Sequence, residues 1–248
     1  MSPVMLLFAV VQAVASTRST SPVPVPFRAG ERFEYGAKWG PISVGKTTIE
    51  VVGIDTVRNT PVYHFRYRME ASVPFYRISS TLQSWTTIDE FHSLRYRQDN
   101  NENSRQYVRQ WEIFPDSSKY RQVQPDPQDS QTGVREPLDD ASVLFFLRSV
   151  PLEVGKTYTF HRYFRADRNP IVIKVLKRER MELPDGSRVT CLVLNPIVGE
   201  RGLFGPRTEA RLWLTDDARR IPVQIRSVQP WGQVTMRLQR MGEEGDRR

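Results

Sequence analysis

The sequence predicts an all-β protein, mainly antiparallel: a single curved β-barrel, closed or incompletely closed, or large sheet, with one short helix. Three observations carry this. Almost everything after Phe27 alternates with a period of two, compact turn chemistry separates the alternating segments, and one segment alone breaks the rhythm with helical spacing. "PVYHFRYRME" shows the alternation best. It sets Tyr63, Phe65, Tyr67 and Met69 on one face and His64, Arg66 and Arg68 on the other.

Before the β-rich part comes an address. "MSPVMLLFAVVQAVAS" runs apolar from Val4 to Val11, and Ala13-Val14-Ala15 reads as a small-residue cleavage site before Ser16. The run is too short to span a bilayer, and no cysteine follows that could take a lipid. Its n-region "MSP" departs from the usual signal in having no Lys or Arg. We expect residues 1–15 to be a Sec-type signal peptide and the protein to be periplasmic or secreted. Residues 16–26 then form a Pro/Ser-rich leader, 27–241 a single β-rich domain and 242–248 a polar tail, with no transmembrane segment after cleavage.

Along the domain, "SVPFYRISSTLQSWTTID", "SLRYRQDNNENSRQYVRQWEIF", "KTYTFHRYF", "PIVIKVLKRERMELPDGSRVTCLVLNPIV", "TEARLWLTDDARRIPVQIRSV" and "GQVTMRLQRM" all alternate. "DNNEN", "LPDGS", "TDDARR" and "QPWG" supply the turns between them. About a dozen strands joined by short hairpins are expected, hence antiparallel. "QVQPDPQDSQTGVREP" reads as a polar, Pro-containing loop. After it, "PLDDASVLFFLRSVP" predicts the helix at residues 139–149, capped by Asp139 or Asp140, with Ala141, Leu144, Phe145 and Arg148 on one face. So many antiparallel strands must close into a barrel, split into a sandwich or curve around the helix. The curved, incompletely closed barrel suits this order.

"GPISVGKT" at residues 40–47 fits the phosphate-loop pattern letter for letter. Such a loop works only if a helix starts at once behind it. Here "TTIEVVGIDTV" follows, a β-branched run with strand character. "VGKT" recurs at Val154–Thr157, again before a strand, so both copies read as turns that launch strands and no nucleotide is expected. Asp216-Asp217 reads as turn chemistry. His64, His92 and His161 lack any metal-ligand spacing, and no G-x-S-x-G elbow occurs. We expect no catalytic residues, no metal ligands and no cofactor. Cys191 is the only cysteine, which excludes an intramolecular disulfide, and its alternation with Val189 and Val193 marks it as a buried, inert thiol.

The chain carries 36 Lys+Arg against 28 Asp+Glu, a net charge of +8, so an anionic partner is conceivable but no specific nucleic acid is indicated. Arg66 with Arg68 and Arg95 with Arg97 form stripes that could meet it; solvated strand faces explain them equally well. Apolar residues at turns form a second set: Leu203 and Phe204 in "GERGLFGPR", Trp231 in "QPWGQ" and Trp39 in "KWGP". They either fold back over a barrel end or grip a lipid, a sugar or a partner, and for Leu203 and Phe204 we read a contact site.

"FRAGERFEYGAKWGPISVGKTTIEV", "LDDASVLFFLRSVPLEVGKTYTF", and "ARLWLTDDARRIPVQI" with "GQVTMRL" resemble the opening, central and closing segments of a bacterial exported family, domain of unknown function 3108. The resemblance spans roughly residues 27 to 240. It implies an exported β-rich fold and supplies no catalytic residues. The leading functional expectation is a non-enzymatic binding or envelope-assembly protein for an apolar or amphipathic ligand, its partner a lipid or envelope component. A hydrolase or polysaccharide-acting enzyme, with a site formed only in three dimensions, and an anionic-polymer binder are the alternatives.

Overall fold

The computed structural model of the protein describes residues 25–73, 76–199, 204–229 and 232–243. The expected signal peptide, nearly all of the leader, Leu203, Trp231 and the end of the polar tail lie outside these residues.

Fourteen strands, among the described residues, form one antiparallel sheet. The first eight are β1 (Glu31–Trp39), β2 (Ile42–Val57), β3 (Thr60–Val73), β4 (Tyr76–Thr87), β5 (Ser93–Glu102), β6 (Arg105–Phe114), β7 (Lys119–Gln124) and β8 (Gln128–Gln131). Helix α1 (Ser142–Ser149) follows. Then come β9 (Thr157–Phe160), β10 (Ile171–Glu182), β11 (Arg188–Val198), β12 (Arg211–Thr215), β13 (Pro222–Gln229) and β14 (Gly232–Glu243).

The order is a meander that turns back on itself. β1 pairs with β2 on one side and β14 on the other, while β8 and β9 are the two outer edges. The barrel is therefore left open between β8 and β9, and α1 belongs to the chain that runs from one edge to the other. Near that gap Leu138 makes a parallel bridge to Tyr163: its N–H donates to the Arg162 carbonyl, and the Phe164 N–H donates back to the Leu138 carbonyl at 2.9 Å.

Two strands more than the expected dozen come from one place. β7 and β8 occupy part of the stretch read as a polar loop, with Gln122 opposite Gln128. Edge strands are commonly short and polar, which hides them from a pattern search built on apolar alternation. The strand expectation for the rest of the domain holds.

The helix begins three residues later than expected in its regular part, but its start signal is where the sequence placed it. Asp139 Oδ1 accepts from the N–H groups of Ala141 and Ser142, both at 2.9 Å, and Ser142 Oγ accepts from the Asp139 N–H at 2.8 Å. This reciprocal pair satisfies the donors that a helix start leaves unpaired. The extended backbone of Val150, followed by Pro151, ends it. Every residue from Ser142 to Arg148 is buried, as befits a helix surrounded by sheet. Phe145 stacks on Phe65 with ring centroids 3.9 Å apart, and Phe27 packs edge-on against both.

Arg148 anchors α1 electrostatically. Its side chain is fully buried, paired with Glu31 at 2.6 and 3.0 Å, and donates to the carbonyls of Pro26, Arg219 and Arg220 at 3.0–3.1 Å. The rings of Phe27, Phe33 and Phe145 surround the guanidinium at 5.3–5.6 Å. One cation thus ties the helix to the chain before β1 and to the β12–β13 turn.

Candidate functional site

Antiparallel succession sorts the connections into two groups. The β1–β2, β3–β4, β5–β6, β7–β8, β9–β10, β11–β12 and β13–β14 connections share one end of the sheet. That end gathers Trp39, the chain around Phe204, and Arg168 of the β9–β10 connection. Phe204 does not point into solvent: it packs against the core, and its carbonyl accepts from the Val198 N–H at 2.8 Å. Trp39 is 36% exposed and lies against the backbone of Gly232, where a Cβ would stand 2.2 Å from its Nε1.

Beneath Phe204 a cavity of about 280 Å³ opens between the sheet and α1. Ile49, Tyr67 and Leu82 form one wall, Leu144 and Leu147 of the helix form the floor, and Leu212, Ile225 and Met236 form the far wall. These side chains share the inner face because their strand registers are matched: Ile49 stands opposite Tyr67, Tyr67 opposite Leu82, and Leu212 opposite Ile225. The Tyr67 hydroxyl donates to the Ala141 carbonyl at 2.9 Å, and burial holds its phenol well above the ordinary tyrosine range.

The cavity has one charged edge, and Thr47 adds a hydroxyl beside Met236. Arg168 pairs with Asp140 at 2.8 Å and lies over the Tyr163 ring at 4.9 Å, while the Tyr96 hydroxyl donates to the second Asp140 oxygen at 3.1 Å. Gly199 lets the Arg168 stem pass, since a Cβ there would meet its Cδ at 2.6 Å. Asp139, next in the chain, caps α1 and also accepts from Ser84 Oγ at 2.6 Å; burial pushes its carboxyl up to about 6. Both carboxylates are thus occupied in holding the helix and its neighbours.

The other sequence-based candidates lie elsewhere. Arg66, Arg68, Arg95 and Arg97 sit on the face opposite Phe65 and Tyr67, outside the barrel, not around the cavity. Each has a carboxylate beside it. Arg66 pairs with Glu50, to which Arg68 comes within 3.9 Å, while Arg95 meets Glu112 at 2.5 Å and Arg97 meets Asp99 at 2.7 Å. His64 stacks on Trp85 with centroids 4.6 Å apart, and burial lowers its pKa. Among the described residues, no three His, Cys, Asp or Glu side chains stand close enough to share a metal ion. Cys191 is buried, and burial pushes its thiol up to about 12. Asp217 accepts from Thr215 Oγ1 and from the N–H groups of Arg219 and Arg220, a turn role.

The two "VGKT" copies differ, which corrects the reading of both as strand-launching turns. In the first, the turn is Gly40-Pro41 and Gly45 lies inside β2. A Cβ at Gly45 would fall 1.9 Å from the Glu70 carbonyl oxygen, so this glycine is required by the close approach of β3. In the second, Gly155 has φ +83° and β9 starts two residues later, the turn that was expected. No helix follows either copy.

Fold and cavity together define an antiparallel, β-barrel-like domain left open at one seam, with a helix packed into it and an apolar cavity beside that helix. The chain belongs to the family of proteins of unknown function DUF3108, whose profile matches residues 34–239. Among solved structures it is similar to a β-barrel-like protein of the domain of unknown function DUF1849 from Brucella abortus. That likeness has a TM-score of 0.59 at 9% identity and covers 89% of this chain and 99% of the other, so it concerns the fold alone. A hypothetical protein from Chlamydia trachomatis, CT021, aligns over 88% of each chain at 8% identity with a TM-score of 0.35. No curated protein matches the chain. Among the described residues no helix is long and apolar enough to cross a membrane.

Proposed function

We propose that the protein is an exported, non-enzymatic binding protein that takes one apolar chain, or the tail of an amphipathic molecule, into the cavity between sheet and helix. Export rests on the N-terminal apolar run and its Ala-Val-Ala cleavage signal, and places the protein in the periplasm or outside the cell. The carrying observation is the cavity itself: Ile49, Leu82, Leu144, Leu147, Leu212 and Ile225 converge on it, while its two charged residues, Asp140 and Arg168, are paired with each other. At about 280 Å³ the cavity sits at the lower end of ligand cavities, which run to roughly 300–1,000 Å³, so it suits a single medium-length chain, not a diacyl lipid.

Burying about eight methylenes is worth roughly 6 kcal/mol. That corresponds to a Kd of about 40 μM before the cost of association weakens it further. An uncharged naphthylamine dye, bright only in apolar surroundings, tests the reading. The purified chain should enhance its emission, and 1-decanol should displace it. Leu82→Trp, which fills the cavity from β4, should weaken both by about tenfold while the far-UV spectrum stays unchanged. Equal dye binding by the Leu82→Trp variant rules the cavity out as the binding site.

A further inference from the structure

The outer face of β12–β14 and β1 carries a cationic row that the cavity does not use. Arg211 stands opposite Arg226, Arg226 opposite Thr235, and Thr235 opposite Lys38. Arg237 is two residues along β14 from Thr235, opposite Gln224. All four cations point away from the cavity, because they alternate with Leu212, Ile225, Met236 and Ala37, which are buried on the inner side.

Directly opposite like charges destabilise a sheet, and among the described residues no carboxylate pairs with Arg211 or Arg226. Among the described residues, no carboxylate lies within 4.0 Å of Lys38, Arg211, Arg226 or Arg237. The contrast with Arg66, Arg95 and Arg97 on the other half of the sheet, each ion-paired, is sharp. Arg237 and Arg211 do donate, but to neutral acceptors: Arg237 to Gln224 at 3.2 Å and the Glu182 carbonyl at 2.6 Å, and Arg211 to the Ala210 carbonyl at 2.8 Å.

Two further donors lack any acceptor. The Nε of Arg226 and the indole Nε1 of Trp213 are both buried and unpartnered, and the Arg226 guanidinium lies over the Trp213 ring at 5.4 Å. A buried N–H without an acceptor is costly and uncommon. Two on touching side chains leave an acceptor position, and the cationic pair Arg211–Arg226 beside them favours an acceptor that carries negative charge.

We infer that Arg211, Arg226 and Trp213 form a site for a phosphate-class anion on the outer face, with Lys38 and Arg237 adding long-range attraction. Guanidinium forks match the oxygen spacing of phosphate, and the indole N–H supplies a single directed donor. This site is separate from the cavity.

Inorganic phosphate is the first probe, with sodium chloride matched in ionic strength as the baseline. Phosphate should raise the melting temperature of the purified chain, and calorimetric titration should give a saturable isotherm. The Arg211→Gln/Arg226→Gln double variant should bind at least tenfold more weakly, Trp213→Phe severalfold more weakly, and Arg97→Gln like the wild type. Trp213→Phe keeps an aromatic ring beneath the Arg226 guanidinium while removing the N–H, and decides the matter if the double variant fails to fold. Sedimentation with phosphatidylglycerol and phosphatidylcholine vesicles then separates the sources. Phosphate-inhibited binding to the former alone identifies a lipid headgroup, and phosphate binding without vesicle binding identifies a soluble phosphate compound. A wild type that responds to phosphate no more than to chloride leaves water as the acceptor and overturns the site. Undiminished phosphate binding in the double variant or in Trp213→Phe overturns it equally.

Discussion

Replacing Arg148 by Met keeps most of the apolar volume inside the barrel and removes the charge. The Glu31 carboxylate, 19% exposed, then loses its cation, and the carbonyls of Pro26, Arg219 and Arg220 lose their donor. Breaking a buried ion pair from one side costs about 3–5 kcal/mol. In a domain of this size each kcal/mol moves the midpoint by roughly 2–4 °C, so a fall of about 6–20 °C is expected. Glu31→Gln is milder, because the guanidinium keeps three carbonyls and gains an amide oxygen; about 1–2 kcal/mol is expected there. The two changes share one interaction, so the double variant should be more stable than the sum of the singles implies, by at least about 1 kcal/mol. Urea unfolding followed by far-UV circular dichroism measures all three. A loss below about 1 kcal/mol for Arg148→Met, or strict additivity in the cycle, refutes the idea that this pair fastens the helix.

Gly45→Ala should lower stability by more than 2 kcal/mol, because its Cβ would overlap the Glu70 carbonyl, whereas Gly53→Ala, where a Cβ meets nothing within 4 Å, should be near neutral; thermal melts of the pair decide it. Asp139, its carboxyl raised by burial to about 6, binds its proton more tightly folded than unfolded. Its contribution is therefore full below about pH 4 and is lost as pH rises through 6, an effect of roughly 3 kcal/mol. Asp139→Asn keeps the helix cap and removes the titration, so the wild type should lose stability relative to the variant between pH 4 and 7, and parallel stability curves contradict this.

What the sequence made legible follows from local rules. Alternation in "PVYHFRYRME" placed Phe65 inside and Arg66 outside, and Pro137, Asp139 and Pro151 bracketed the helix. What it hid depends on register and distance. The partner of Arg66 is Glu50, on a neighbouring strand, so the stripe was visible but its neutralisation was not. Arg148 was correctly grouped with Leu144 and Phe145, yet Glu31 lies 117 residues away, so a buried cation could not be foreseen. Phe204 stood out as an apolar residue among glycines, but its inward course depends on Val198 and on cavity walls drawn from seven strands and α1. Alternation in "TEARLWLTDDARRIPVQIRSV" sets Leu212 and Ile225 on faces but not around a cavity, and Arg168 carries no local signal at all. Counting strand direction along the meander, odd connections against even, could have gathered Trp39, Arg168 and Phe204 at one end. β7 and β8 were missed because polar edge strands resemble loops.

The most direct test of the account is to ask where an apolar chain binds. Methyl-labelled protein, observed by heteronuclear correlation while 1-decanol is titrated, reports every Ile, Leu and Val separately. Binding in the cavity predicts saturable shifts in Ile49, Leu82, Leu144, Leu147, Leu212 and Ile225, with Val108 on the outer face of β6 unmoved. Uniform small shifts, or changes confined to residues outside this cavity, contradict it.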